Sequence, residues 1–209
     1  VSSYVDTLRA AEAVSGPAAV ARQLLVELDG GVRAVRHPLG FTCLPVVRDG
    51  GDGVCVHWWH GGDTELTTEA IHAHSWDLLS FVLCGALRNE SVSVVDDKVT
   101  PTYRVFEVHS DAGGRDEILG TDRTVHIGAR RSERNTAGSS YRVRSGEFHA
   151  SELVAAEVAT LVFGRTLPGA VDLALAPLDA ADHATQRRTC DAIETRRTAH
   201  AVLDRLGAA

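Results

Sequence analysis

His72 and His74, separated by Ala73, are the residues of this chain best placed to do chemistry. Side chains at i and i+2 of a strand leave the same face, so both imidazoles can reach one point in space. A third histidine arriving from a distant strand would complete a metal site, and the segment Ser145-Gly146-Glu147-Phe148-His149 offers one. Three neutral imidazoles around a divalent transition ion leave positions open for water, dioxygen or substrate, the requirement of a catalytic rather than a purely structural metal.

Such ligands need a rigid wall. From Phe41 to Phe163 the chain reads as short alternating runs between turns: Cys43–Val47, Val54–His60, Thr67–His74, Leu79–Leu83, Ser91–Val95, Tyr103–His109, Thr124–Ala129, Tyr141–Arg144 and Ala159–Phe163. About nine strands at this spacing predict a sandwich or small barrel. Asp49-Gly50-Gly51-Asp52-Gly53 reads as a hairpin turn. The glycine- and charge-rich segments Asp111–Asp122 and Arg130–Ser140 read as mobile loops at a barrel mouth.

Helices are expected at both ends. Residues 2 to 28 are rich in helix formers, interrupted at Ser15-Gly16-Pro17, with Val20, Leu24, Leu25 and Leu28 on one stripe of the second helix and Asp29-Gly30-Gly31 as its stop. A C-terminal helix is predicted from Asp179, as N-cap, to Leu206, with Arg187, Arg188, Arg196 and Arg197 on a solvated side. It would pack on the barrel or on a second subunit, so a homodimer is one expectation. The organisation read from sequence is a helical segment at 1–39, a β-barrel at 40–166 and a helical extension at 167–209.

The pattern His72-x-His74, three residues, Leu78, six residues, Gly85 resembles the first motif of the cupin superfamily, which runs HxH, three or four residues, Glu, six residues, Gly. Gly138, five residues, Arg144-Ser145-Gly146, two residues, His149 resembles the second, in which Pro-x-Gly precedes the last histidine. The resemblance covers about residues 40 to 166. It implies a mostly β fold, the cupin-type double-stranded β-helix or jelly-roll barrel, with N-terminal and C-terminal α-helices. Two departures matter: the glutamate ligand is replaced by Leu78 (Leu79 with the longer spacing), and the proline by Arg144. Leucine cannot bind metal, so the implied ligands are His72, His74 and His149, as in cysteine dioxygenase and other thiol-dioxygenase-like cupins. Asp77 is the nearest carboxylate, either a fourth ligand or an exposed turn residue.

Other candidates surround these motifs. Tyr103, Val105, Glu107 and His109 share one strand face and Arg104, Phe106 and Val108 the other; if the first set faces the cavity, Tyr103 and Glu107 become candidate catalytic residues. Arg142 or Arg144 could clamp a substrate carboxylate, and we take Arg142 as the candidate. Glu90 or Glu152 could orient a ligand imidazole. His57 and His60 point to opposite faces, so only one reaches a pocket, and Trp58-Trp59 reads as core plus surface.

Composition narrows the function. With 28 acidic and 21 basic residues, a net charge of −7 argues against nucleic acid or an anionic membrane as partner. The four cysteines, Cys43, Cys55, Cys84 and Cys190, form no CxxC pair and read as core thiols in a reducing compartment. No long apolar run or basic-then-apolar leader is visible, so a cytoplasmic protein is expected. No GxSxG elbow, P-loop, dinucleotide fingerprint or HExxH helix is present.

The first expectation is therefore a mononuclear non-haem Fe(II) oxygenase that oxidises a small polar metabolite with dioxygen. The second is an isomerase or lyase with Zn, Ni or Mn as Lewis acid. The third is a cupin that binds a small ligand without turnover.

Overall fold

The computed structural model describes residues 3–13, 16–60 and 71–207. Helix α1 (Tyr4–Glu12) starts where the Ser3 hydroxyl accepts the Asp6 N–H, and α2 (Gly16–Val26) carries Pro17 in its first turn. The strands that follow are β1 (Val35–Arg36), β2 (Thr42–Asp49), β3 (Asp52–His60), β4 (His72–Ala73), β5 (Trp76–Cys84), β6 (Ala86–Asp96) and β7 (Tyr103–Ser110). They continue with β8 (Arg115–Thr136), β9 (Ser140–Val143), β10 (Phe148–Leu153), β11 (Glu157–Thr166), β12 (Asp172–Ala176), β13 (His183–Gln186) and β14 (Arg188–Thr189), before helix α3 (Ala192–Gly207).

Two antiparallel seven-stranded sheets result, ordered β14-β1-β2-β3-β11-β5-β9 and β13-β8-β6-β10-β4-β12-β7. The chain alternates between them: β4 lies in the second, β5 in the first, β6 in the second, and again β9 in the first, β10 in the second, β11 in the first, β12 in the second. The two segments wind antiparallel about each other, β5 pairing with β9 and β11 while β10 pairs with β4 and β6. This is the expected jelly-roll sandwich. Strand β8 also pairs with β7, so the second sheet closes on itself.

Strand alternation sorts the apolar residues into three cores. The outer face of the first sheet, with Leu44, Val56, Trp58, Leu79, Leu161 and Phe163, is covered by Tyr4, Ala21, Leu25, Val202 and Leu206 from the three helices. Its inner face contributes Trp59, Leu78, Tyr141, Val143 and Val162 to a second cluster, joined by Leu87 of the facing sheet. The third cluster, with Ile71, Val92, Val105, Val125, Phe148 and Leu175, lies inside the curl of the second sheet. Each fully buried Val, Leu or Phe contributes about 1.5–3 kcal/mol, so the outer helices are bound to the sandwich by real burial energy. No helix among the described residues is long and apolar enough to cross a membrane.

Three expectations are corrected. The C-terminal helix spans only Ala192–Gly207. Asp191 is its true cap: Oδ1 accepts the N–H of Ile193 and Glu194 at 2.7 and 2.8 Å, and Glu194 Oε2 accepts the Asp191 N–H at 3.1 Å, a reciprocal capping box. Residues from Asp172 to Thr189 instead add three strands to the two sheets. The segments read as mouth loops fall largely in β8, because every second residue there can turn its charge to solvent while its backbone pairs with β7 and β6. Trp59 is buried like Trp58, one on each face of the first sheet. Part of the expected strand Thr67–His74 lies outside the described residues.

Candidate metal centre

β4 is two residues long and sits between β10 and β12, with His72 directly opposite His149 on one side and Ala174 on the other. Directly opposed residues share a face, and His74 shares it with His72 by alternation. The ring centroids of His72 lie 4.7 Å from those of His74 and 4.4 Å from those of His149, and those of His74 and His149 are 5.1 Å apart. One ligand nitrogen from each histidine can be chosen so that all lie within 4.8 Å of one another.

The protonation states suit ligation. His149 is buried, and its Nδ1 lies 3.0 Å from Asn89 Oδ1. An amide oxygen can only accept, so Nδ1 carries the hydrogen and Nε2 presents its lone pair. That Nε2 is 3.1 Å from His74 Nε2. Two imidazole nitrogens on one ion at bonds of 2.0–2.1 Å, between octahedral and tetrahedral angles, are about 2.9–3.4 Å apart; the pair fits a divalent transition ion. Burial first, and the neighbouring His72 next, hold both His74 and His149 well below the usual histidine pKa, so both are neutral at pH 7.

The two motif glycines have structural causes. Gly85 has φ +76°, and a Cβ there would lie 2.1 Å from the Glu157 carbonyl oxygen; Gly146, φ +78°, turns the chain into β10. Leu78 faces the cavity and Leu79 the helix-covered side, so of these two positions only Leu78 lies on the side of the histidines. Asp77 is exposed and accepts the Ser145 N–H at 2.9 Å, fastening the turn before β10 rather than reaching the histidines.

The histidines open into a cavity of roughly 930 Å³ between the sheets. Phe41, Trp59, Trp76 and Leu78 supply apolar wall, and Cys43, Cys55 and His57 face it from the first sheet. His57 is thus the inward member of its pair, stacked on Phe41 at 4.2 Å. Arg187, expected on a solvated helix face, also lines the cavity. It donates from Nε to Asp116 Oδ2 at 2.7 Å, and although burial pushes the Asp116 pKa up, hydrogen bonds from Arg187 and Ser110 outweigh it and hold the carboxyl below its ordinary value.

The other expected catalytic residues are elsewhere. Glu107 pairs with Leu173, which pairs with Ala73, so it lies on the opposite face of the sheet from His72 and is bonded to His109 at 3.1 Å. Tyr103 packs against the third core, and the face of β7 turned toward the histidines carries Phe106, opposite Ala174. Arg142 is 74% exposed and pairs with Glu12 at 3.8 Å. Glu90 and Glu152 do line the cavity, but neither is bonded to a histidine: they are ion-paired with Arg130 and Arg88. The imidazole-orienting role falls to Asn89, two residues from the Ser91 that opposes His149 and therefore on its face. Strand parity alone pointed to Asn89 over Glu90 once the strand pairing was known.

No family model and no curated protein matches this chain. Among solved structures it is similar to hydroxypropylphosphonic acid epoxidase from S. wedmorenis, at 14% identity and TM-score 0.33 over 60% of this chain and 49% of that one. It is similar to an oxalate oxidase at 18% and 0.32 over 58% and 45%, and to a hydroquinone 1,2-dioxygenase in complex with Cd2+ at 13% and 0.36 over 59% and 63%. The chain spans about half the length of the first solved structures it matches, 50% in the case of a Co(II) HppE complex.

Proposed function

We propose that this chain is a metal-dependent enzyme of the cupin type in which His72, His74 and His149 hold a mononuclear Fe(II), and that it oxidises a small polar metabolite such as a thiol or amino acid with dioxygen. One observation carries the reading: three imidazoles, two of them from one motif and one from the other, converge on the wall of a cavity between the sheets. Fe(II) held only by neutral ligands would keep its positive charge and leave positions at which an anionic substrate and dioxygen could meet.

The protein's own residues supply the rest. Burial keeps His74 and His149 unprotonated, so no proton competes for their lone pairs at neutral pH. Asn89 fixes the His149 tautomer through Nδ1–H, and Trp76, its ring tilted against His74 at 4.2 Å between centroids, packs on that second ring. Phe41, Trp59 and Leu78 give the cavity an apolar wall beside the histidines. Arg187 reaches that cavity already ion-paired with Asp116, so it adds hydrogen-bond donors to the wall rather than a free positive charge.

The test is anaerobic. Metal-free protein reconstituted with Fe(II) and exposed to nitric oxide should give the EPR signal of a high-spin iron nitrosyl, weakened in His149→Ala. Iron-loaded wild type that gives no nitrosyl signal at saturating nitric oxide would overturn the oxygenase reading. Stoichiometric zinc or nickel in the purified protein, with no iron taken up, would move the function to Lewis-acid chemistry.

A further inference from the structure

A second group of ligating side chains faces the same cavity from the opposite sheet. Cys43 on β2 stands directly opposite His57 on β3, and Cys55, two residues before His57, shares its face. The two sulfurs and a ring nitrogen of His57 all lie within 4.8 Å of one another. The imidazole is held in place: Phe41 stacks on it at 4.2 Å, His37 stacks on Phe41 at 4.4 Å, and Trp59 meets the His57 ring edge-on at 5.8 Å. Arg48 Nη1 approaches the Cys55 sulfur at 3.5 Å.

We infer that Cys43, Cys55 and His57 form a second metal site, for a thiophilic divalent ion of the zinc type, distinct from the three-histidine centre. Two thiolates and an imidazole are a soft donor set that selects zinc over iron, manganese or magnesium. Three protein ligands would leave a fourth position open, as in zinc sites that bind an exogenous molecule. The Arg48 guanidinium offsets charge on the Cys55 sulfur. The thiols are poised for this role: a hydrogen bond from Cys43 first, with His57 and Arg48 adding to it, outweighs burial and pulls Cys55 well below the usual thiol pKa, while Cys43 is pushed up.

The alternative use of two neighbouring cysteines is a disulfide, and the register opposes it. Cys55 is paired with Pro45 and Cys43 with His57, so the cysteines are diagonal neighbours. Diagonal Cα atoms on a ladder lie roughly 7–8 Å apart, beyond the roughly 4.4–6.8 Å that a disulfide spans.

Cobalt reports thiolate ligation directly. Metal-free protein titrated with Co(II) should develop a near-ultraviolet thiolate-to-cobalt charge-transfer band, retained in His149→Ala, lost in Cys43→Ser and in Cys55→Ser, and bleached by Zn(II). In parallel, wild type should be alkylated by iodoacetamide with and without Zn(II) and the modified cysteines located by mass spectrometry. Zinc should protect Cys43 and Cys55 and leave Cys84 unaffected. The inference is overturned by absence of the band in wild type, by its survival in both serine variants, by equal alkylation with and without zinc, or by a Cys43–Cys55 disulfide in the purified protein.

Discussion

At the residue scale the centre depends on a hydrogen bond between groups 60 positions apart, from His149 Nδ1 to Asn89 Oδ1. It decides which nitrogen of His149 is free to bind. Asn89→Leu removes the acceptor while keeping side-chain volume and leaving all three histidines in place. Loss of a ligand's orienting partner costs about 10–100-fold in metal affinity. We expect a fall of that size in competition titrations against a chelator, with far-ultraviolet circular dichroism unchanged. Affinity equal to wild type would mean that Asn89 does not set the tautomer. His149→Ala, which removes the ligand itself, should fall further.

At the element scale the site is a consequence of how β5 turns into β6. Gly85 makes that turn at φ +76°, with the Glu157 carbonyl oxygen occupying the space of any side chain. Val158 is the next atom met, and it is fully buried. Gly85→Ala must therefore shift backbone of β11, the central partner of β3 and β5. Left-handed strain alone costs about 1–2 kcal/mol, and the backbone clash adds to it. We expect at least 2–4 °C off the melting temperature for each kcal/mol lost in a chain of this size, roughly. Gly146→Ala, where the same positive φ meets open space, should cost less. Equal melting temperatures for the two variants would show that the approach of β11 does not constrain the turn.

At the scale of the whole molecule, burying histidines neutral makes folding depend on pH. Burial, with Arg187 next in effect, pushes His37 down to about 3, and burial likewise holds His74 and His149 well below the ordinary value. An unfolded histidine titrates near 6.5, so below that pH the unfolded chain binds protons that the folded chain refuses. The stabilisation is therefore complete above about pH 6.5 and is lost as pH falls toward the folded values, by up to about 1.4 kcal/mol per pH unit for each histidine. Urea unfolding of metal-free protein should show stability dropping between about pH 7 and 5.5, before most carboxylates titrate. A flat profile would mean that these rings are solvated in the folded chain.

Sequence by itself determined what depends on neighbours along the chain. The two-residue period put His72 and His74 on one face, the glycine-rich stretch around Gly50 marked a hairpin turn, and the apolar stripe of α2 foretold its packing on the sandwich. Asp179 was read as the cap of the last helix, whereas the Asp191-x-x-Glu194 capping box closes it. Tertiary structure alone decided which face of each strand meets the cavity. That choice rests on register between distant strands, and a one-residue slip moves every side chain to the other face. Hence Glu107 and Arg142 turn away, Asn89 turns to His149, and Arg187 and the Cys43–Cys55–His57 group turn to the cavity. Cys43 and Cys55, unremarkable at a separation without a motif, become neighbours only because the hairpin pairs β2 with β3.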